Sequence, residues 1–538
     1  LPLVATETNI VPGQVVEEVL MGLVATSFRQ RTGADTVGRC WLGACVTGFL
    51  VLCWLMRRFV ADDAWISARY AENLARGHGF VWNPGGPRVE GFSNPLLVYI
   101  EALAHLLGLS ATGTARVIGV ACGVGLLVVI HRLGPDVVGR SATRIGMALT
   151  ALYPPMALWA VGGLETLPTA LATTTALLLL CRRDRDMRQA VRGGLVLGVL
   201  PWLRPEGIAI ALAIAALSEG PGLLRKAERR AGLLRLVAVA GIPLASQAVL
   251  EAVRLVIYGH LVPNSVLYKS GSGSGSEVLL KFAEQARPVL VLGLAGAFLA
   301  RGRQRLILVP PAVYAIGSIG TLDSVNSFSR FFMPTWPQWA LLAGVAVAVA
   351  SRGVGRLRVP AALAIGVMLV WVIVANQRGD LDNTQRYGDH YASCRDGARS
   401  DAAEWLRGQT IADTSFSISD SGLTPAQSGG RSAIDQFLLN DPLIQRTGAL
   451  PVARRVQLVL DRDPDVLILT SRSSTHFDAL YATDRSVTRD RRFRHYKLAH
   501  IAAGQGAECR YHLFMFQKSG RRPELRLAHH RIGTSGRG

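Results

Sequence analysis

Apolar residues in this chain come in long blocks rather than in alternating or helical-face patterns. Between about residue 41 and residue 376 most of the blocks run roughly 15–24 residues, long enough to cross a hydrocarbon core of ~30 Å. The first is Trp41 to Leu55. The others cover 114–130, 145–161, 166–180, 193–203, 206–218, 234–257, 285–300, 305–320, 334–350 and 359–376, which makes about eleven predicted transmembrane helices. Beyond residue 377 the apolar runs shorten and charge rises. Short β-like runs (Val466 to Leu469, His512 to Phe516) and a helical stretch (Asp401 to Leu406) predict a small α/β domain over 377–538. The expected fold is therefore a polytopic α-helical membrane protein with a C-terminal soluble domain. Residues 1–40 form a mixed N-terminal segment, and the last ~20 residues are basic and Gly-containing, as in disordered tails.

The loops set the orientation. Basic loops at 131–144, 182–192, 225–235, 301–305 and 352–358 alternate with sparser loops at 162–165, 204–206, 258–284 and 321–333. Arg and Lys concentrate in cytoplasmic loops. This places the N-terminus in the cytoplasm and the C-terminal domain outside, in a multi-pass protein of the cell membrane. The pattern holds only if Pro95 to Leu109 does not span. That stretch carries Glu101 and His105 four residues apart on one helical face, which predicts a membrane-surface helix. The first outer loop then covers 57–113, and Arg57-Arg58 on the outer side go against the rule. No small-residue cleavage site follows the first block, so it reads as a retained span. The Gly-Ser run at 270–276 reads as a flexible outer linker.

Composition adds little to this. The net charge of +20 over 538 residues is what basic cytoplasmic loops produce, and nucleic-acid binding is not expected. Of seven cysteines, none shows metal-ligand spacing, so no metal site is expected from them. Cys394 and Cys509 are the two in the C-terminal domain. A location outside the cytoplasm would permit a disulfide between them.

Candidate chemistry gathers in the first outer loop. It holds an acidic pair, Asp62-Asp63, a helix-like stretch from Trp65 to Arg76, a Gly-rich turn and Glu90. Carboxylates beside a membrane are costly unless solvated, paired or used. The plain reading of one Asp is a cap on the helix that starts near Ala64. An enzyme acting outside the cytoplasm lacks nucleotide sugars and needs a donor that enters through the membrane, such as a polyprenyl phosphate sugar. Transfer requires a base for the acceptor hydroxyl and cations for the lipid phosphate. Arg57, Arg58 and Arg204 lie at predicted outer ends of spans, where such a phosphate would sit.

The segment from Ala61 to Pro95 resembles the first outer loop of GT-C superfamily glycosyltransferases, in particular the terminal arabinofuranosyltransferases of mycobacterial cell-wall assembly. Further segments resemble the family in order: Gly162 to Thr166, Leu203 to Gly207 with its Arg-Pro-Glu, Tyr258 to Asn264 with Lys269 beyond, Arg330 to Pro334, and Ile434 to Phe437 with Asn440 to Pro442. The resemblance implies a GT-C fold and transfer of a sugar, arabinofuranose being one option, from polyprenyl phosphate to an extracytoplasmic glycan with inversion. It implies Asp62 or Asp63 as catalytic base, with Asp62 preferred as the leading Asp. Glu90, Glu165, Glu206 and Asn264 would face the outer site, and Arg204, Lys269 and Arg330 would hold donor phosphate or acceptor hydroxyls. A divalent cation is compatible with it and not required. The chain departs from the family at Gly162, where a Ser is usual, and at Asp323, which stands farther from Arg330 than the family's Asp. The rival class is a lipid-linked glycan transporter or flippase. Those often carry repeated halves; no internal repeat is found here, and the polar residues gather at outer loops. Reporter fusions after residue 376 are expected to give an extracytoplasmic signal; a cytoplasmic one would overturn the orientation.

Overall fold

The computed structural model describes residues 36–182, 186–269, 275–318, 327–353, 380–448 and 450–520. Most of segment 1–40, most of the Gly-Ser run, Asp323, the block 359–376 and the basic tail lie outside them.

The apolar blocks become helices: α1 (Thr36–Leu55), α4 (Ala111–Val138), α5 (Arg140–Ala151), α6 (Pro154–Val161), α7 (Thr166–Leu180), α8 (Met187–Leu203), α9 (Gly207–Leu223), α10 (Arg229–Tyr258), α13 (Arg287–Leu299), α14 (Val309–Gly317) and α15 (Trp336–Gly353). Between them lie α2 (Asp62–Ala75), α3 (Pro95–Leu106), α11 (Asn264–Lys269) and α12 (Gly275–Gln285). Among the described residues, four helical stretches are long and apolar enough to cross a membrane, or up to six if each bent pair is one span. Several predicted spans are therefore shorter or broken helices. The block 145–161 breaks after α5, because Pro154 forces Tyr153 out of helical geometry and then starts α6. Large apolar side chains point outward, among them Val117, Val256 and Phe298. Such exposure suits lipid, since water would penalise it.

Helix α3 is 12 residues long, roughly 18 Å at 1.5 Å per residue, too short to span. Leu103 and Leu106 are exposed on one side, and Glu101 is buried on the other. An apolar outward face is what a helix lying at the membrane surface presents.

Residues beyond 380 build a five-stranded sheet from β1 (Ser415–Ile418), β2 (Ser432–Asp435), β3 (Val466–Ser471), β4 (Tyr496–Ala503) and β5 (His512–Lys518), in the order β2-β1-β3-β5-β4. Strands β2, β1 and β3 are parallel, while β5 runs antiparallel to both β3 and β4. Helix α16 (Gly397–Gln409) packs on β4 and β5. Cys394 and Cys509 are joined by a disulfide with Cα atoms 5.4 Å apart.

Packing fuses the first outer loop to this sheet. Ile66, Tyr70, Trp82 and Phe92 share one hydrophobic core with Ala398, Leu406, Phe416 and Ile418. The polar contacts are equally specific. The Asn83 side chain bonds both the N–H and the C=O of Ala433, each at 3.0 Å, and so occupies the free edge of strand β2. Asn264 donates to the carbonyls of Leu439 and Asp441 at 2.9 and 2.8 Å. Buried Arg69 donates to the carbonyls of Trp82 (2.8 Å), Arg431 (3.0 Å) and Pro425, and to Asn83 Oδ1 (2.9 Å). Burial among these neutral acceptors pulls its guanidinium down to about 10. Removing it strands buried acceptors at about 1–3 kcal/mol each. Arg69→Ala is therefore expected to lower the melting temperature of the purified protein by several degrees. Arg69→Lys is expected to restore little, because one ammonium does not reproduce the fork. Wild-type melting of both variants would show that Arg69 is not a tie between loop and sheet.

Candidate functional site

A cavity of about 580 Å³ lies between the first outer loop and the sheet domain. Its walls come from the start of α2, residues 91–94, the turn between α6 and α7, Arg330, and sheet-domain residues from Tyr387 to Tyr481.

Asp62 and Asp63 both line it and have different surroundings. Helix α2 begins at Asp62, and its N-cap, Ala61, makes no side-chain cap bond. The two carboxylates occupy the first turn, where the helix dipole favours negative charge, but neither is the N-cap residue. Asp62 accepts N–H groups of Gly422 (3.1 Å) and Leu423 (3.0 Å) and lies 3.4 Å from Arg399 Nε. Its own N–H donates to Tyr391 Oη at 3.1 Å. Both carboxylate oxygens are engaged, and the side chain is 15% exposed. A Cβ at position 422 would collide with this carboxylate, so the contact requires glycine there. Asp63, by contrast, is 39% exposed and pairs with Arg330 at 2.5 Å.

Glu165 stands at the apex of the bend between α6 and α7, which turn through 117°. Gly163, with φ of 77°, makes the left-handed turn that brings Glu165 to the wall. Its carboxylate accepts from Arg204 Nη1 (2.9 Å) and Asn94 Nδ2 (3.1 Å), and Arg330 Nη2 is 3.9 Å away. Ser67 Oγ orients Asn94 at 3.0 Å. Arg330 follows two residues in left-handed conformation, Phe328 (φ 45°) and Ser329 (φ 53°). Such strain persists only where the surroundings over-determine it; here Trp159 Nε1 donates to the Phe328 carbonyl at 3.2 Å and Ser329 Oγ to Gln285 at 2.6 Å.

Of the residues anticipated from sequence, Asp62, Asp63, Glu165 and Arg330 meet on the wall; Arg57, Arg58, Glu90, Arg204, Glu206 and Asn264 do not. Arg204 lies behind Glu165, paired with it and with Glu206. Glu90 is buried in an ion pair with Arg254 at 3.0 Å, and Asn264 is a tie between loop and sheet domain. Exposed Arg57 covers the Trp54 ring at 4.1 Å, and Arg58 stands 3.8 Å from Asp389. Lys269 ends α11, with its side chain outside the described residues. Sequence reading missed Asn94, Tyr391, Arg395, Arg399, Asp420 and Tyr481. For Tyr391, Arg395 and Arg399 the local sign was the density of Arg, Asp and Tyr over 380–400.

Among the described residues no three His, Cys, Asp or Glu side chains converge as a cation site requires. The Arg330 guanidinium also fills the space between Asp63 and Glu165. The donor set does not fit a divalent cation.

A second cavity of about 490 Å³ is lined almost wholly by apolar side chains, including Leu96, Leu97, Pro168, Leu171 and Val199. In sequence it starts two to three residues from Asn94 and Glu165, which line the first cavity.

No family model and no curated protein matches the sequence. Solved structures do match. ArnT from Cupriavidus metallidurans bound to undecaprenyl phosphate aligns with a TM-score of 0.55 at 15% identity, over 90% of this chain and 98% of that one. The oligosaccharyltransferase AglB from Archaeoglobus fulgidus, in complex with an inhibitory peptide and a dolichol-phosphate, aligns with a TM-score of 0.55 at 13% identity, over 79% of this chain and 69% of that one. This chain shares the fold of these two proteins. In this chain the fold carries an acidic cluster around one guanidinium. Three carboxylates, Asp62, Asp396 and Asp420, surround Arg399. Burial pushes Asp62 up to about 6 and, partly offset by Arg399, Asp396 up to about 7. Burial also acts on Asp420, but Arg399 and the Tyr511 hydroxyl outweigh it and hold this acid low. For Asp62 and Asp396 the folded state binds protons more tightly than the unfolded state between about pH 4 and 7. Stability is therefore expected to fall as pH rises through that window and to level off above it. Asp396→Asn is expected to flatten the slope of melting temperature against pH; an unchanged slope would remove Asp396 from the cluster's proton balance.

Proposed function

We propose that this chain is a membrane glycosyltransferase. It moves a sugar, arabinofuranose by its resemblance to the cell-wall enzymes, from polyprenyl phosphate to an extracytoplasmic cell-envelope glycan with inversion. The fold shared with ArnT and AglB supports the general kind of reaction. The observation that carries the reading is the partly exposed carboxylate of Asp63, paired with Arg330 on a cavity wall whose neighbouring groove is apolar.

Asp63 is the base. A general base must reach the acceptor hydroxyl, and Asp63 is the more exposed of the pair. Asp62 is a positioning residue: held by two amides and Arg399, it fixes the first turn of α2 and with it Asp63. In the reaction Asp63 removes the hydroxyl proton as the acceptor oxygen attacks the anomeric carbon. The bond from that carbon to the phosphate oxygen breaks, and its electron pair leaves with polyprenyl phosphate. Attack opposite the leaving group inverts the centre. Arg330 lines the same wall and stabilises the departing phosphate. Glu165 and Arg204 hold Arg330 in place from behind. The polyprenyl chain lies in the apolar groove beside Leu97 and Pro168.

Asp63→Asn is expected to lower transfer from a labelled polyprenyl phosphate sugar about 10²–10⁴-fold with melting temperature unchanged. Asp62→Asn is expected to lower both turnover and melting temperature. Near-native turnover of Asp63→Asn would sink the base assignment.

A further inference from the structure

Loop 435–441 carries a feature that the transfer chemistry leaves unused. Leu438 is buried and has φ of 60°, a left-handed conformation that leucine rarely adopts. The loop is clamped from both sides. Asp435 accepts the Phe437 N–H at 2.8 Å and the Asn440 backbone and side-chain N–H groups at 3.1 Å each. From the outer loops, Tyr70 donates to Asn440 Oδ1 at 3.1 Å, and Asn264 grips the carbonyls of Leu439 and Asp441. Strain retained in this way marks a position whose geometry is used. Its effect is to set Phe437 and Leu439 on the wall of the larger cavity. The Phe437 ring centroid lies 6.0 Å from that of Tyr268 and 5.8 Å from that of Tyr481, both of which line the cavity. Arg455 covers Phe437 at 5.2 Å and adds support to the ring.

We propose that Phe437, with Tyr268 and Tyr481, forms the acceptor subsite and that the acceptor is a neutral glycan. This deepens the glycosyl-transfer reading and rests on it. A sugar ring offers an apolar C–H face, and rigid aromatic rings bury such a face at little entropic cost. The sugar's hydroxyls find acceptors at hand, because Asp420 and Asp435 line the same wall. The cavity carries five carboxylates against three guanidiniums, and Arg330 and Arg399 are already in ion pairs. Arg330 meets the donor phosphate, and the remaining balance favours a neutral acceptor sugar over an anionic one. The subsite joins both halves of the chain, since Tyr268 comes from α11 and Phe437 and Tyr481 come from the sheet domain.

The test is saturation-transfer NMR on the full purified chain. The probes are neutral pentose and hexose oligosaccharides, a uronic-acid oligosaccharide and a peptide of similar length. Binding of undecaprenyl phosphate is measured in parallel. The native chain is expected to bind a neutral oligosaccharide through its ring C–H protons. Phe437→Ala is expected to weaken that binding about three- to tenfold, Phe437→Trp to retain it, and both to leave undecaprenyl phosphate binding unchanged. Failure of every neutral oligosaccharide to bind overturns the subsite, as does undiminished binding by Phe437→Ala or tighter binding of the uronate or the peptide. Failure of the native chain to bind undecaprenyl phosphate, with sugar binding intact, overturns the transferase reading instead.

Discussion

The grip of the sheet domain on Asp62 is the constraint from which the site follows. Two backbone N–H groups and one guanidinium meet a carboxylate that is almost out of water. Burying such charges costs several kcal/mol per ion, and the pair is tolerated only when the remaining bonds are made. Here they are made: Arg399 also reaches Asp420 at 2.7 Å, Asp396 at 3.1 Å and the hydroxyls of Tyr391 and Tyr511 at 3.1 and 3.2 Å. Because Asp62 is the first residue of α2, fixing it fixes the helix start. The next residue, Asp63, is thereby presented to the cavity beside Arg330.

The cavity exists because a loop between predicted spans does not behave as a loop. Residues 62–102 contribute large side chains to the core of the sheet domain, and Asn83 takes up the edge of β2. The membrane helices keep a separate core of their own. The outer loop is thus the mortar between two packed bodies, and the cavity is the space left where the polar faces of both meet. Its functional side chains sit beside left-handed turns: Glu165 two residues after Gly163, Arg330 after Phe328 and Ser329, and Phe437 beside Leu438. Strain at such positions is maintained by rigid surroundings, and rigid surroundings also keep reacting groups aligned.

Much of this architecture was readable in advance. The apolar blocks located the helices, although proline breaks and short lengths turned several predicted spans into bent or partial ones. The α3 stretch was read as a surface helix from its amphipathic pair; in the structure it is a 12-residue helix with Glu101 buried. Asp62, Asp63, Glu165 and Arg330 were recognisable from local motifs in order along the chain. Arg57, Arg58, Arg204, Glu90 and Asn264 were equally conspicuous as polar residues near outer helix ends. A motif reports that a polar residue is present and leaves open which way it faces. Arg204 and Glu90 turned inward to ion pairs, Asn264 became a tie to the sheet domain, and Arg57 and Arg58 stayed on the surface.

The sequence alone determined what depends on neighbouring residues: helix length, apolarity, loop charge and the acidic pair at the start of an outer-loop helix. These are local properties, set by side chains a few positions apart. Only the tertiary structure decided how the two aspartates divide, because their partners stand 267 and 361 residues away in the chain. No periodicity encodes such distances; they are the outcome of which surfaces pack together. The same holds for Arg399 and Tyr391, unremarkable in sequence, which became cavity walls once the outer loop and the sheet closed a common core.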